Sequence, residues 1–317
     1  MKRFITPEQG NAIVPKRIIT ESYSVMIASF LGIVAAFAWA CSLFFVLRPT
    51  YELGAIRALF YTEVFLLIPL SLMPLIDPNL LNFIHPRYQS VWMMNIYASL
   101  IVAVANLLLY KALEIGVFAI VTPISSTYAA YSVLIEWLRG NTLSSLQYLG
   151  IAVTLIGVGL ASIPPKAEHD HAITRREAVL AAVLAFVSAI GYGVGYWMTG
   201  EYVAPTMPTV TISWMGRVST LLVGVLYLVI TRTRIQWVVP SRQTLYSMFW
   251  GGVSLGVAWY TTYRGYALGD IAIVSVLSSI YSGITPVLGM IFLKERLARY
   301  QWVGIAGILV GTPMIIL

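Results

Sequence analysis

Ten stretches of about 20 mostly apolar residues follow one another along this chain, each long enough to cross a bilayer as a helix. They run at roughly 25–47, 53–76, 91–112, 117–138, 145–163, 178–199, 209–230, 244–265, 271–293 and 300–317. Their period is helical or uniformly apolar, without the short alternating strands of a transmembrane barrel, which predicts an all-α polytopic membrane protein. Of the 317 residues, 59% are hydrophobic and 10% charged, whereas a soluble domain carries about a quarter charged residues. The same balance excludes intrinsic disorder. A single cysteine, Cys41, excludes a disulfide framework and a thiolate metal cage. The formal charge of +7 is distributed over the ends of apolar segments rather than gathered in a run, so no nucleic-acid partner is expected. Residues 1–24 form a polar tail with Pro7, Glu8, Asn11 and Pro15, unlike a cleavable signal peptide, and the first helix is expected to be retained.

Breakers fall between the windows: Arg48-Pro49-Thr50, Asp77-Pro78-Asn79 to His85-Pro86-Arg87, Pro205 with Pro208, and Arg232 to Arg242. A polar connection at 164–177 divides the chain into a first unit, 25–163, and a second, 178–317. The two units repeat. Tyr110-Lys111, Gly116, Ala119-Ile120-Val121, Ser125-Ser126 and Tyr128 return 153 residues later as Tyr263-Arg264, Gly269, Ala272-Ile273-Val274, Ser278-Ser279 and Tyr281. With one residue inserted, Gln147-Tyr148-Leu149-Gly150-Ile151-Ala152 returns as Gln301-Trp302-Val303-Gly304-Ile305-Ala306. Each unit holds five spans, and an odd number makes the copies enter the membrane from opposite sides. Secondary transporters are commonly built this way, with substrate held between the repeats near the midplane. Charge gives a divided account of orientation: with both termini cytoplasmic the first half obeys the positive-inside rule, and the second violates it through Arg175, Arg176, Arg232, Arg242 and Lys294.

At these residues the sequence resembles the ten-helix EamA-like members of the drug/metabolite transporter superfamily, over roughly residues 25 to 317. The likeness is strongest at Tyr110-Lys111-Ala112-Leu113 and at Phe292-Leu293-Lys294-Glu295-Arg296-Leu297, followed by Gln301-Trp302-Val303-Gly304. The first copy departs from the latter pattern, with Arg139-Gly140-Asn141-Thr142-Leu143 where an acid is usual. Relatives export amino acids, carry sugar phosphates or nucleotide sugars, or move other metabolites. The resemblance implies alternating access in the plasma (inner) membrane, with both termini cytoplasmic.

Charges inside a span are costly and usually face a cavity or a partner. Only Arg57, Glu63 and Arg217 lie well inside one. Arg57 is six residues before Glu63, about 240° around the helix, so the two cannot pair on one face. Arg217, brought across by the fold, is the expected partner of Glu63. Glu63 then reads as a protonatable coupling group and Arg217 as an anchor for a substrate carboxylate or phosphate, or the two form a structural ion pair. Trp39, Tyr97, Tyr128, Tyr192, Trp259 and Tyr281 place amphipathic rings within spans, where they suit a cavity for a small organic molecule. Asn95 and Asn106 need partners if buried. Thr122, Ser125, Ser126, Ala129 and Ser132 align with Ser275, Ser278, Ser279, Ser282 and Thr285 as matching small-residue faces, which either pack helices closely or line a moving interface. Pro123 and Pro286 free carbonyls in the same helices. Gly191/Gly195, Gly252/Gly256 and Gly307/Gly311 have small-xxx-small spacing, which fits packing within a monomer or a homodimer. His169 and His171 read as polar loop residues rather than a metal site.

The expectation is a secondary transporter moving a small polar metabolite, an amino acid or related compound, by export or exchange; proton coupling through Glu63 is a hypothesis, and the sequence does not name the coupling ion. A carrier of phosphorylated or other anionic metabolites is the alternative, and a scaffold or channel a more remote one. No Gly-x4-Gly-Lys-Ser/Thr loop encodes ATP drive, no cofactor is implied, and an intramembrane enzyme would need more than one deep carboxylate.

Overall fold

The computed structural model describes residues 16–75, 86–116, 118–140, 144–161, 163, 174–232, 239–268, 271–294 and 296–316. Most of the polar tail, most of the 164–177 connection with His169 and His171, and the Asp77 to His85 stretch lie outside the described residues. The chain is all-helical. The first unit contains α1 (Lys16–Leu53), α2 (Ala55–Leu72), α3 (Gln89–Ile115), α4 (Phe118–Ser125), α5 (Tyr128–Leu138) and α6 (Ser145–Ala161). The second contains α7 (Arg175–Met198), α8 (Thr209–Thr231), α9 (Arg242–Ala267), α10 (Ile271–Ser279), α11 (Tyr281–Leu293) and α12 (Arg299–Ile316). The helices α4 with α5, and α10 with α11, are two halves of one window each, so ten spans result. Among the described residues, five helical segments are by themselves long and apolar enough to cross a membrane: Met26–Leu53, Ala55–Leu72, Pro86–Ile115, Arg175–Val203 and Thr209–Thr231. Phe30, Phe37, Ile68, Leu222, Val229 and Phe292 remain exposed on the outside, where lipid replaces water as their natural neighbour.

Two features differ from the sequence expectation, each for a local reason. The first span continues through Arg48-Pro49-Thr50 to Leu53 instead of ending there. Thr50 Oγ1 donates to Val46 O at 2.7 Å within that turn, and the chain reverses only at Gly54, whose φ of 84° suits a residue without Cβ. The windows 117–138 and 271–293 are not continuous helices: they break at Ser126-Thr127 and at Ile280. The 153-residue offset maps Thr127 onto Ile280, so both repeats break at one equivalent place. Pro123 and Pro286 sit inside α4 and α11, to either side of the breaks rather than at them. At the first break Ser125, Ser126 and Thr127 donate to the carbonyls of Thr122, Pro123 and Ile124 at 2.9, 2.7 and 2.8 Å. Ser278 and Ser282 do the same to Ser275 and Ser279. Side chains that bond their own backbone compete with the helical ladder.

Helix packing follows the repeat. α1 lies along α9 and α7 along α3, while α6 and α12 form the most extensive helix pair. Gly157 and Gly304 let those two backbones touch: a Cβ on Gly304 would fall 2.5 Å from the Ala161 nitrogen and 2.6 Å from the Gly157 oxygen. Gly191 and Gly195 seat α7 on Ala105 and Val102 of α3, and Gly252 and Gly256 seat α9 on Phe65 and Leu66 of α2. These small-residue spacings therefore serve packing within one chain.

Candidate functional site

The middle of the bundle holds charges that lipid would exclude. Glu63 on α2 and Arg217 on α8 are 0% and 1% exposed. Arg217 Nη1 donates to Glu63 Oε1 at 2.9 Å and to Oε2 at 3.1 Å. Each partner is held by the third helix of a repeat. Asn106 Nδ2 on α3 donates to Glu63 Oε1 at 3.3 Å, and the indole of Trp259 on α9 lies 4.4 Å from the Arg217 guanidinium carbon. Asn106 and Trp259 are equivalent under the 153-residue offset, so one position of the repeat supplies a hydrogen bond to the anion and a π-face to the cation. Arg217 Nε and Trp259 Nε1 are buried without a hydrogen-bond partner, which leaves donor capacity beside the ion pair.

An aromatic cluster adjoins this centre. Tyr192 donates to Asn106 Oδ1 at 2.5 Å and stacks on Tyr196 at 5.4 Å. Tyr196 meets Tyr128 and Trp259 edge-on at 5.0 and 5.4 Å. Trp39 meets Trp259 at 5.2 Å and Tyr281 at 6.5 Å. Trp39, Leu43, Leu109, Tyr128, Tyr192, Tyr196 and Tyr281 enclose a cavity of about 10 Å³, room for about one water. Two cross-repeat bonds close its wall where the fourth spans break: Tyr128 OH with Ser278 Oγ at 2.7 Å, and Tyr281 OH with Ser125 Oγ at 3.3 Å. Tyr128 is equivalent to Tyr281 and Ser125 to Ser278, so the two bonds are one contact seen from both repeats.

The structure thus brings together Trp39, Glu63, Asn106, Tyr128, Tyr192, Arg217, Trp259, Ser278 and Tyr281. It separates two residues expected with them. Tyr97 is 53% exposed on the outer surface of α3, turned away because the inward face of that helix is taken by Asn95, Ala98, Ser99, Val102 and Asn106. Asn95 is buried, but 11 residues and about 16 Å along the helix from Asn106. Its Nδ2 faces the sulfurs of Met207 and Met215 at 3.2 and 2.9 Å. Arg57 donates to Leu53 O at 3.0 Å near the start of α2, away from the pair. Tyr196, Leu43 and Leu109 were not expected. Tyr196 stands one helical turn from Tyr192, a spacing that would have found it; the two leucines carry no signal separating them from other apolar residues. Among the described residues no group of three His, Cys, Asp or Glu side chains gathers as a metal site.

Residues 26–163 and 179–317 each match the profile of the EamA-like transporter family. A stretch of 83 residues is 30% identical to the "Uncharacterized transporter in cobO 3'region" of Sinorhizobium sp, covering 25% of this chain and 59% of that protein's length. The chain therefore spans little more than half of that curated relative. A protein of known crystal structure shares the fold, with a TM-score of 0.58 and 18% identity over 92% of this chain and 95% of that one.

Proposed function

Because the chain belongs to the EamA-like transporter family, we propose that this multi-pass membrane protein carries a small polar metabolite, an amino acid or related compound, by alternating access between its repeats. The observation that carries this reading is the buried Glu63–Arg217 pair against an aromatic cavity. Two opposite charges and a set of amphipathic rings suit a zwitterion with an organic side chain. Glu63 accepts a proton or a substrate ammonium, Arg217 anchors a carboxylate, and Trp39, Tyr128, Tyr192, Trp259 and Tyr281 hold the body of the molecule. Both termini lie in the cytoplasm of the plasma (inner) membrane, and transport is export or exchange. In proteoliposomes, saturable counterflow of a radiolabelled amino acid identified in a thermal-shift screen tests the reading; a folded protein giving no saturable counterflow with any metabolite sinks it.

A second reading has its own support in the idle Nε of Arg217. A phosphorylated or other anionic metabolite would use that donor together with the positive charge. Sugar phosphates and nucleotide sugars in the same counterflow assay separate the two readings.

A further inference from the structure

The interrupted spans cross beside the cavity, and the crossing is lopsided. An even number of spans puts both chain ends at one face, the near face. α4 and α11 then occupy the far half of the crossing, and α5 and α10 the near half. In the far half α4 packs along α11, and Thr122 Oγ1 hydrogen-bonds Thr285 Oγ1 at 2.7 Å. In the near half α5 and α10 meet at the break, where Tyr128 OH bonds Ser278 Oγ at 2.7 Å, and among the described residues they do not pack along each other as α4 and α11 do. The repeat aligns Thr122 with Ser275 and Ser132 with Thr285, so Ser132–Ser275 is the near-half counterpart of Thr122–Thr285. Those two serines are engaged elsewhere: Ser132 donates to Gly193 O at 3.0 Å, and Ser275 pairs with the Tyr266 hydroxyl at 3.1 Å.

A perfect two-fold relation would make the halves alike. Alternating access around a fixed site requires them to be unlike and to exchange. Hydroxyl pairs suit such an exchange, because a hydroxyl that also holds a local backbone acceptor loses little on release. For Thr122 that acceptor is Phe118 O, at 2.9 Å. We propose that Thr122–Thr285 and Ser132–Ser275 form a reciprocal latch across the repeats: each closes when the other opens, and the described state is latched on the far face. The proposal rests on the alternating-access reading above. With cytoplasmic termini, the latched state is the one closed toward the outside.

Disulfide cross-linking in a Cys41→Ala background tests it. Thr122→Cys with Thr285→Cys is expected to cross-link in resting vesicles under mild oxidant and to abolish counterflow until dithiothreitol is added. Ser132→Cys with Ser275→Cys is expected to cross-link during turnover and about tenfold more slowly at rest. With all four cysteines present, either bond should exclude the other. Both bonds in one molecule, or a near pair that never forms during turnover, overturns the latch. Should a double variant misfold, single cysteines read the same point with a water-soluble maleimide: Ser132→Cys reacts at rest and Thr122→Cys does not, and the reverse pattern refutes it. Cross-link exclusion is read without any substrate assignment, so absent counterflow in the reduced, folded variants counts against the carrier reading alone.

Discussion

Arg217 in α8 holds both carboxylate oxygens of Glu63 in α2 through one nitrogen, Nη1, at 2.9 and 3.1 Å. The second helix of one repeat is thereby tied to the second helix of the other at a depth where neither charge has water. Desolvation consumes much of the attraction within such a pair, but removing one member strands the other.

Glu63→Leu or Arg217→Met alone should therefore destabilise the protein by about 3–5 kcal/mol, whereas the double variant should lose far less. Melting temperatures in detergent for the two single variants and the double variant check this. Additive losses would mean the pair is not coupled.

If Glu63 carries the coupling proton, Glu63→Gln should abolish the stimulation of flux by a pH gradient while leaving counterflow without a gradient measurable. Both fluxes can be read in the same liposome preparation. A gradient response equal to that of the parent protein removes Glu63 from proton coupling.

Tyr192→Phe deletes the donor to Asn106 Oδ1 and leaves a buried acceptor unpaired, a cost of about 1–3 kcal/mol. Weaker substrate binding in a thermal-shift titration should accompany the loss. Tyr97→Leu, on the outer surface, should change neither stability nor binding.

Gly157→Ala and Gly304→Ala should each separate α6 from α12 and lower stability by about 1–3 kcal/mol, because the added methyl meets backbone atoms under 3 Å away. Gly159→Ala is the control: nothing lies within 4 Å of its Cβ position, and its melting temperature should hold or rise slightly.

Arg217→Lys keeps the charge but loses the planar group that lies over Trp259. Binding of anionic or zwitterionic substrates should weaken and that of cations should not. The opposite order in isothermal titration would contradict an anchoring role for Arg217.

Much of this molecule was legible before any coordinates. Ten apolar windows, a 153-residue repeat and three intramembrane charges gave the span count, the two units and the expected Glu63–Arg217 partnership. These follow from composition and local order, since a charge in hydrocarbon must find a partner whatever the fold. What sequence left open was direction. Tyr97 and Tyr192 look alike as aromatic residues within spans, yet one faces outward and the other reaches Asn106. Only the rotation of each helix against its neighbours separates them. Likewise Thr122, Ser132, Ser275 and Thr285 form matched stripes in the chain, and the sequence treats the two halves of the crossing as equals. The tertiary structure pairs Thr122 with Thr285 and sends Ser132 to Gly193 and Ser275 to Tyr266, because the partner a hydroxyl meets depends on how the helices pack, and a linear repeat carries no information about that.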